Sequence, residues 1–198
     1  MDFPFEIFPI DSKPFGLSYS EWSELWWKWI LNVPKNLNPL LDDTGAFAST
    51  DQSHPHVFFL CQTHEQTDYT PSRKVRIPPN KSLFLPVINW ISVMGVDGGN
   101  DDELIRVAKM RMDVISNLKI TIDEVKLSNE LKNFRAFSRV FDVTIPVNNI
   151  LDLPSGSTRA VSDGYWLFVQ PKRLIKELSS FGSCSSGATK IGVQYCFV

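Results

Sequence analysis

The sequence predicts an α+β fold dominated by strands: an antiparallel β-sandwich packed against a tryptophan-rich N-terminal helix and a second helix, in one domain over residues 1–198. Three observations carry this. Residues 18–33 hold four of the six tryptophans, at helical spacing. About seven short apolar or alternating runs, punctuated by Pro, Gly, Asn and Asp, have the length and period of strands. A chain of 198 residues is long enough for one good core and short for two.

The first helix is the best specified element. Trp22, Leu25, Trp26, Trp29 and Val33 fall on one helical face, with Trp27 and Leu31 on its flank, leaving Glu21, Glu24 and Lys28 as the polar strip. Ser18 with Glu21 forms a capping box, Leu17 and Trp22 are placed as a hydrophobic staple, and Pro34 stops the helix at Val33. So narrow a polar strip predicts a helix enclosed by other elements, its indoles serving mainly as core. The alternative is a platform for a carbohydrate or lipid built on whichever ring stays exposed, for which Trp27, on the flank, is the candidate.

Along the chain, residues 3–10 alternate aromatic residues with proline too densely for a helix and should lie extended on the core. Residues 56–62 read as a short strand and residues 74–77 as an edge strand. Residues 82–91 read as a buried strand broken or bulged at Pro86. Asn100 and Glu103 open a second helix whose period continues to about Leu118. Residues 120–127 form a hairpin turning at Asp123 and Glu124, although the usual glycine is missing. Strands follow at 140–145, at 160–170 (entered through Asp163 and Gly164) and at the C-terminus, where Ile191, Val193, Tyr195 and Phe197 share a face. Residues 128–139 and 172–181 stay undecided between helix and irregular chain.

A formal charge of −2 gives no pull toward nucleic acid or an anionic membrane. No apolar run reaches transmembrane length, and the N-terminal fifteen residues, without a basic region and broken by prolines, do not read as a secretory signal. The expectation is a soluble chain of unassigned compartment. Cys61, Cys184 and Cys196 have no zinc-ligand spacing; Cys184 and Cys196 form a disulfide in an oxidising compartment, or all three are free thiols in a reducing one.

The segment YSEWSELWWKWILNVPKNLNPLLDDTG, at 19–45, resembles the opening of a prokaryotic protein family that begins with a Trp-rich helix and an N-P-L-x-D-x-T-G loop. Further likeness lies at 57–60, 77–89, 162–171 and 190–195, so it covers most of the chain. Many members of that family are exported, and none has an established activity. The resemblance implies a shared fold and nothing chemical.

Candidate sites are few. His54, His56 and His64 lie within eleven residues, beside Cys61 and Glu65, and share a parity that would set three imidazoles on one strand face, a set suited to zinc. Pro55 and the reach from His56 to His64, about 25 Å if extended, require the chain to turn for them to meet. Asp97 and residues 100–103 carry oxygen ligands suited to calcium, without the spacing of a calcium loop. Helix capping accounts for most of them. Gly182 to Gly187 is not a serine-nucleophile motif, because Cys184 takes the serine position. The basic cluster Arg73, Lys74, Arg76 and Lys81 reads as a solvated edge strand. Asn89 sits inside a strongly apolar run and Asp163 at the start of another. Converging with Asn38 and Asp42, they would form a polar, ligand-binding pocket where the helix meets the sheet.

The function expected from this is a non-enzymatic binding module for a small-molecule, glycan or protein ligand, acting through loops or an exposed aromatic. The alternatives are a metal-dependent hydrolase using the three histidines, and a structural subunit that self-associates through its N-terminal arm or C-terminal strand.

Overall fold

The computed structural model describes residues 4–64, 69–184 and 190–198. The N-terminal arm is extended, as β1 (Phe5–Ile7). Helix α1 (Tyr19–Asn32) has the ends its sequence specifies. The Ser18 hydroxyl accepts from the Glu21 N–H, Glu21 accepts from the Ser18 N–H, and Val33 turns extended before Pro34. β2 (Val57–Phe59) and β3 (Ser72–Val75) are short. β4 (Ser82–Val93) slips register between Pro86 and Ile88, so Val87 is the extra residue of a bulge.

Helix α2 (Asp101–Asp113) ends earlier than its period predicts, because Ile115 and Leu118 belong to β5 (Ile115–Ile122). Register with the neighbouring strand skips Ser116: Ile115 lies opposite Cys184 and Asn117 opposite Ser183. That bulge buries Ile115 and Leu118 together at a three-residue interval, which imitates a helical turn. The hairpin to β6 (Val125–Leu127) turns where expected, and Asp123 and Glu124 adopt φ of 44° and 70° without a glycine. A 3-10 turn leads into β7 (Arg135–Phe137), followed by β8 (Phe141–Ile145), β9 (Gly156–Pro171), β10 (Glu177–Cys184) and β11 (Lys190–Phe197).

β9 is the axis of the first sheet. One of its edges carries β4, and the other carries β8, β7 and β1 in succession. β2 adds to the far side of β4 over residues 82–84. The second sheet runs β3-β11-β10-β5-β6. Pairing is antiparallel except at β2 with β4 and at β3 with β11, which are parallel. Gly164 and Gly182 mark close approaches: a Cβ at Gly164 would fall 2.7 Å from the Asn89 Cβ, and one at Gly182 would fall 2.8 Å from the Ile88 Cβ.

The first sheet is the middle of three layers. On one face, Leu85, Leu167 and Val169 meet Ile120, Leu178 and Val193 of the second sheet. On the other, Phe84, Trp166 and Phe168 meet Trp22, Trp26 and Ile30 of α1. Alternate residues of β4 and β9 therefore serve two separate cores, which is why both strands read as continuously apolar. α2 covers the end of the sheet that the second sheet does not reach, through Leu104, Ala108 and Val161. No helix among the described residues is long and apolar enough to cross a membrane.

Several expectations are corrected by this packing. Glu24 is buried rather than wet, because β7 and β8 lie across α1. Trp27, the candidate for an exposed ring, is 7% exposed. The disulfide offered as one alternative for Cys184 and Cys196 does not form: Cys196 lies opposite Glu177, at the other end of β10 from Cys184. Arg73, expected on a solvated edge, points inward with Val75 and is 1% exposed. β1 is laid on β9 at one edge of the first sheet, and β11 lies between β3 and β10 in the second.

Candidate functional site: a cavity at the free edge of β4

β2 covers only the first residues of β4, and among the described residues no strand pairs with β4 on that side from Leu85 to Val93. A cavity of about 460 Å³ lies along this edge. Because the first sheet is the middle layer, the cavity has two apolar walls. Trp26, Trp27, Leu40, Leu151 and Leu153 form the wall on the α1 side, and Met112, Ile115 and Ile191 the wall on the side of α2 and the second sheet. Val96 and Val114, 60% and 54% exposed, mark its mouth.

The backbone of β4 presents hydrogen-bonding groups to this space. Ser162 of β9 turns its N–H and C=O toward Ser138, away from β4, so the residue opposite it, Ile91, forms a non-hydrogen-bonded pair. Ile91 therefore directs its own N–H and C=O away from β9, and by alternation so does Asn89. Val93 follows the same pattern, its C=O accepting from Val96 and Asp97 and its N–H donating to the Asp97 carboxylate.

Side chains add to this unmet capacity. Trp27 Nε1, Gln62 Oε1, Thr63 Oγ1, Asn89 Nδ2 and Trp90 Nε1 are buried without a hydrogen-bond partner, and all five residues line the cavity. Asn89 Oδ1 accepts from Gln62 Nε2 at 2.8 Å. Exchanging the O and N of both amides keeps that bond and still leaves one donor and one acceptor free, so the imbalance does not depend on their assignment. A buried polar group without a protein partner costs about 1–3 kcal/mol, and five of them around one apolar volume make it the candidate ligand site. Of the charged groups that line it, the Arg111 guanidinium lies 4.5 Å above the Trp90 ring, and the Asp97 carboxylate accepts from the Val93 N–H.

No family model, curated protein or solved structure matches this chain.

A buried arginine positions one end of the site. Arg73 Nη1 donates to the carbonyls of Cys61 (2.7 Å) and Gln62 (3.3 Å) and to the Tyr195 hydroxyl (3.1 Å), and Nη2 reaches the Leu40 carbonyl at 3.4 Å. Tyr195 also donates to the Cys61 carbonyl, and Trp26 Nε1 donates to the Leu60 carbonyl at 2.9 Å. Together they hold residues 60–62 at the point where the chain leaves β2, which sets Gln62 and Thr63 against the cavity. Burial pushes the Cys61 thiol and the Tyr195 phenol up from their ordinary values, so both are neutral groups of the interior.

The polar residues expected to converge do not. Asn38 closes the end of α1, donating to the Ile30 and Val33 carbonyls and accepting from the Leu40 N–H. Asp42 organises the following loop, accepting from Thr44 N–H and Oγ1 and from the Phe47 N–H. Burial raises its pKa, but those hydrogen bonds outweigh burial, and the carboxyl lies below its ordinary value. Asp163 is fully buried in a two-pronged ion pair with Arg135, at 3.0 and 2.6 Å, and Arg135 also reaches Asp113 of α2. Only Asn89 lines the cavity.

The histidines also separate. His54 Nδ1 accepts the N–H groups of His56 and Val57, its ring lies edge-on to Trp22, and the His56 ring stacks on Phe15. Burial, then His56 and Lys81, hold the His54 imidazole below its ordinary value. His54 lines a broad groove with Lys28, Trp29 and Asp142, whereas His64 lines the cavity at β4. Among the described residues no three His, Cys, Asp or Glu side chains are grouped to hold a metal ion. Glu65, expected beside them, lies outside the described residues. The acids expected to suit calcium serve as caps and ion pairs: Asn100 accepts from Glu103, Glu103 from Gly99, Asp97 from Val93, and Asp101 pairs with Arg159.

Sequence reasoning missed Gln62, Thr63 and Trp90 as site residues. A weak signal existed, since Gln62 and Thr63 follow directly on a run of apolar residues and Trp90 adjoins Asn89 in another. Arg73 also carried one: it shares its strand parity with Val75 and Ile77.

Proposed function

We propose that this protein is a binding module whose ligand is a small, uncharged and mainly apolar molecule held in the cavity along β4. One observation carries the reading: five lining residues bury polar atoms without partners, between two apolar walls enclosing about 460 Å³. That volume falls within the range of small-molecule sites, and walls of this kind with a few polar groups fix a ligand's orientation as well as its affinity. The ligand is read as uncharged because the five polar atoms without partners belong to neutral groups, and a buried charge without an ionic partner would lose several kcal/mol of hydration. Trp27 is thus read as a wall of the site rather than as an exposed platform.

The test is binding of neutral apolar probes such as alkyl amides, followed by tryptophan fluorescence and thermal shift, since Trp26, Trp27 and Trp90 line the space. Wild type is expected to bind and to gain thermal stability in proportion to ligand saturation. A Val114→Trp variant, which adds bulk at the exposed mouth of the cavity, is expected to melt normally and bind at least tenfold more weakly. Probes that leave wild-type fluorescence and melting unchanged up to their solubility limit would overturn the proposal.

A further inference from the structure

We infer that the occupant of this cavity is an extended, uncharged, apolar peptide segment that adds to β4 as a strand. The inference rests on the reading of the cavity as a ligand site and specifies the ligand's chemistry. Asn89 and Ile91 turn their main-chain N–H and C=O groups away from β9, between a proline without an N–H at Pro86 and Val93, whose own groups are taken by Val96 and Asp97. Among the described residues, the open edge is therefore a short window of regular β4 backbone. Its spacing suits main-chain donors and acceptors arriving at the repeat of another strand.

The walls point to the same occupant. A strand lying in the plane of the first sheet sends alternate side chains to opposite faces. Here one face is met by Trp27, Leu40 and Leu153, and the other by Met112, Ile115 and Ile191. An extended peptide would send its alternate side chains to the two walls in turn. The side-chain polar atoms without partners, two indole N–H groups, a hydroxyl and an amide donor and acceptor, are all neutral and suit peptide groups rather than a carboxylate or an ammonium. β2 already shows the mode of attachment, since it pairs with the first residues of this same edge and then leaves it.

The test uses N-acetylated, C-amidated tetrapeptides built from Val, Ile, Leu, Ala and Phe, with an alkyl amide of matched size as the non-peptide probe. Binding to the whole protein is read by tryptophan fluorescence. The best tetrapeptide is expected to bind at least tenfold more tightly than the alkyl amide. N-methylation at one parity of its backbone is expected to weaken it roughly tenfold, while methylation at the other parity has less than a twofold effect, because only alternate N–H groups face β4. Replacing a wall-facing side chain by Glu is expected to abolish binding. If the alkyl amide binds as well as any peptide, or both methylation parities weaken it equally, strand addition is overturned while the cavity remains a ligand site. If neither class binds wild type, both readings fall.

Discussion

Tryptophans on the two sides of α1 have opposite fates. Trp22, Trp26 and Trp29 each donate their indole N–H to a loop carbonyl, those of Pro14, Leu60 and Thr50, at 2.9 Å. Trp27, on the flank of the same helix, and Trp90, on β4, have no such partner and line the cavity. The first group works as a row of hooks: each ring fills the aromatic layer and its polar edge fastens an irregular segment that has no ladder of its own. The second group lies where, among the described residues, no irregular segment covers the sheet edge. Trp166 separates lack of a partner from the cavity, since its N–H is also unpaired, yet its ring is fully enclosed and stacks on Phe84 at 5.1 Å. An unpaired indole alone is therefore a cost of packing; it is several unpaired groups around one cavity that support the proposed site.

The largest expected effect lies at the boundary between the two regions. Arg73→Met keeps the buried volume but strips donors from the Leu40, Cys61 and Gln62 carbonyls, and is expected to lower stability by about 2–4 kcal/mol in urea titration. It should also weaken probe binding, because Gln62 and Thr63 lose their anchor. A change within about 0.5 kcal/mol would show that the network is not what holds residues 60–62.

A narrower comparison sets Trp26→Phe beside Trp27→Phe, which delete the same atoms from neighbouring positions. The first leaves the Leu60 carbonyl without its donor, whereas the second removes a donor that was already unpaired. Trp26→Phe is expected to be the more destabilising by about 1–2 kcal/mol, and equal melting of the two would break the contrast drawn above.

The smallest effect carries a pH signature. Asp42 has a depressed pKa in the fold, so its contribution is complete above the ordinary carboxylate value of 3.8 and is lost as pH falls through the folded value. Asp42→Asn is expected to cost about 1 kcal/mol at neutral pH, with the gap to wild type closing on acidification. A gap that stays constant down to acid unfolding would assign the loss to packing instead.

Much of the fold was readable because its signals are local. The capping box at Ser18 and Glu21, the stop at Pro34, the bulge near Pro86 and the turn at Asp123 and Glu124 each act within a few residues. The overrun of the second helix shows the limit of that reasoning. A bulge at Ser116 gives a strand the three-residue spacing of a helix, and a period alone cannot tell the two apart. The site was less readable still: of Asn38, Asp42, Asn89 and Asp163, only Asn89 faces the cavity, because the other three spend their polar atoms on a helix end, a loop and an ion pair.

By itself the sequence determined that an indole-studded helix would pack against a mostly antiparallel set of strands, because helix caps, alternation and turn residues act on their near neighbours. Only the tertiary structure decided which edge of which strand stays open. That depends on where β2 stops along β4, on the layers that close over both faces, and on Arg73 reaching three separate segments, none of which is written in any single stretch of chain.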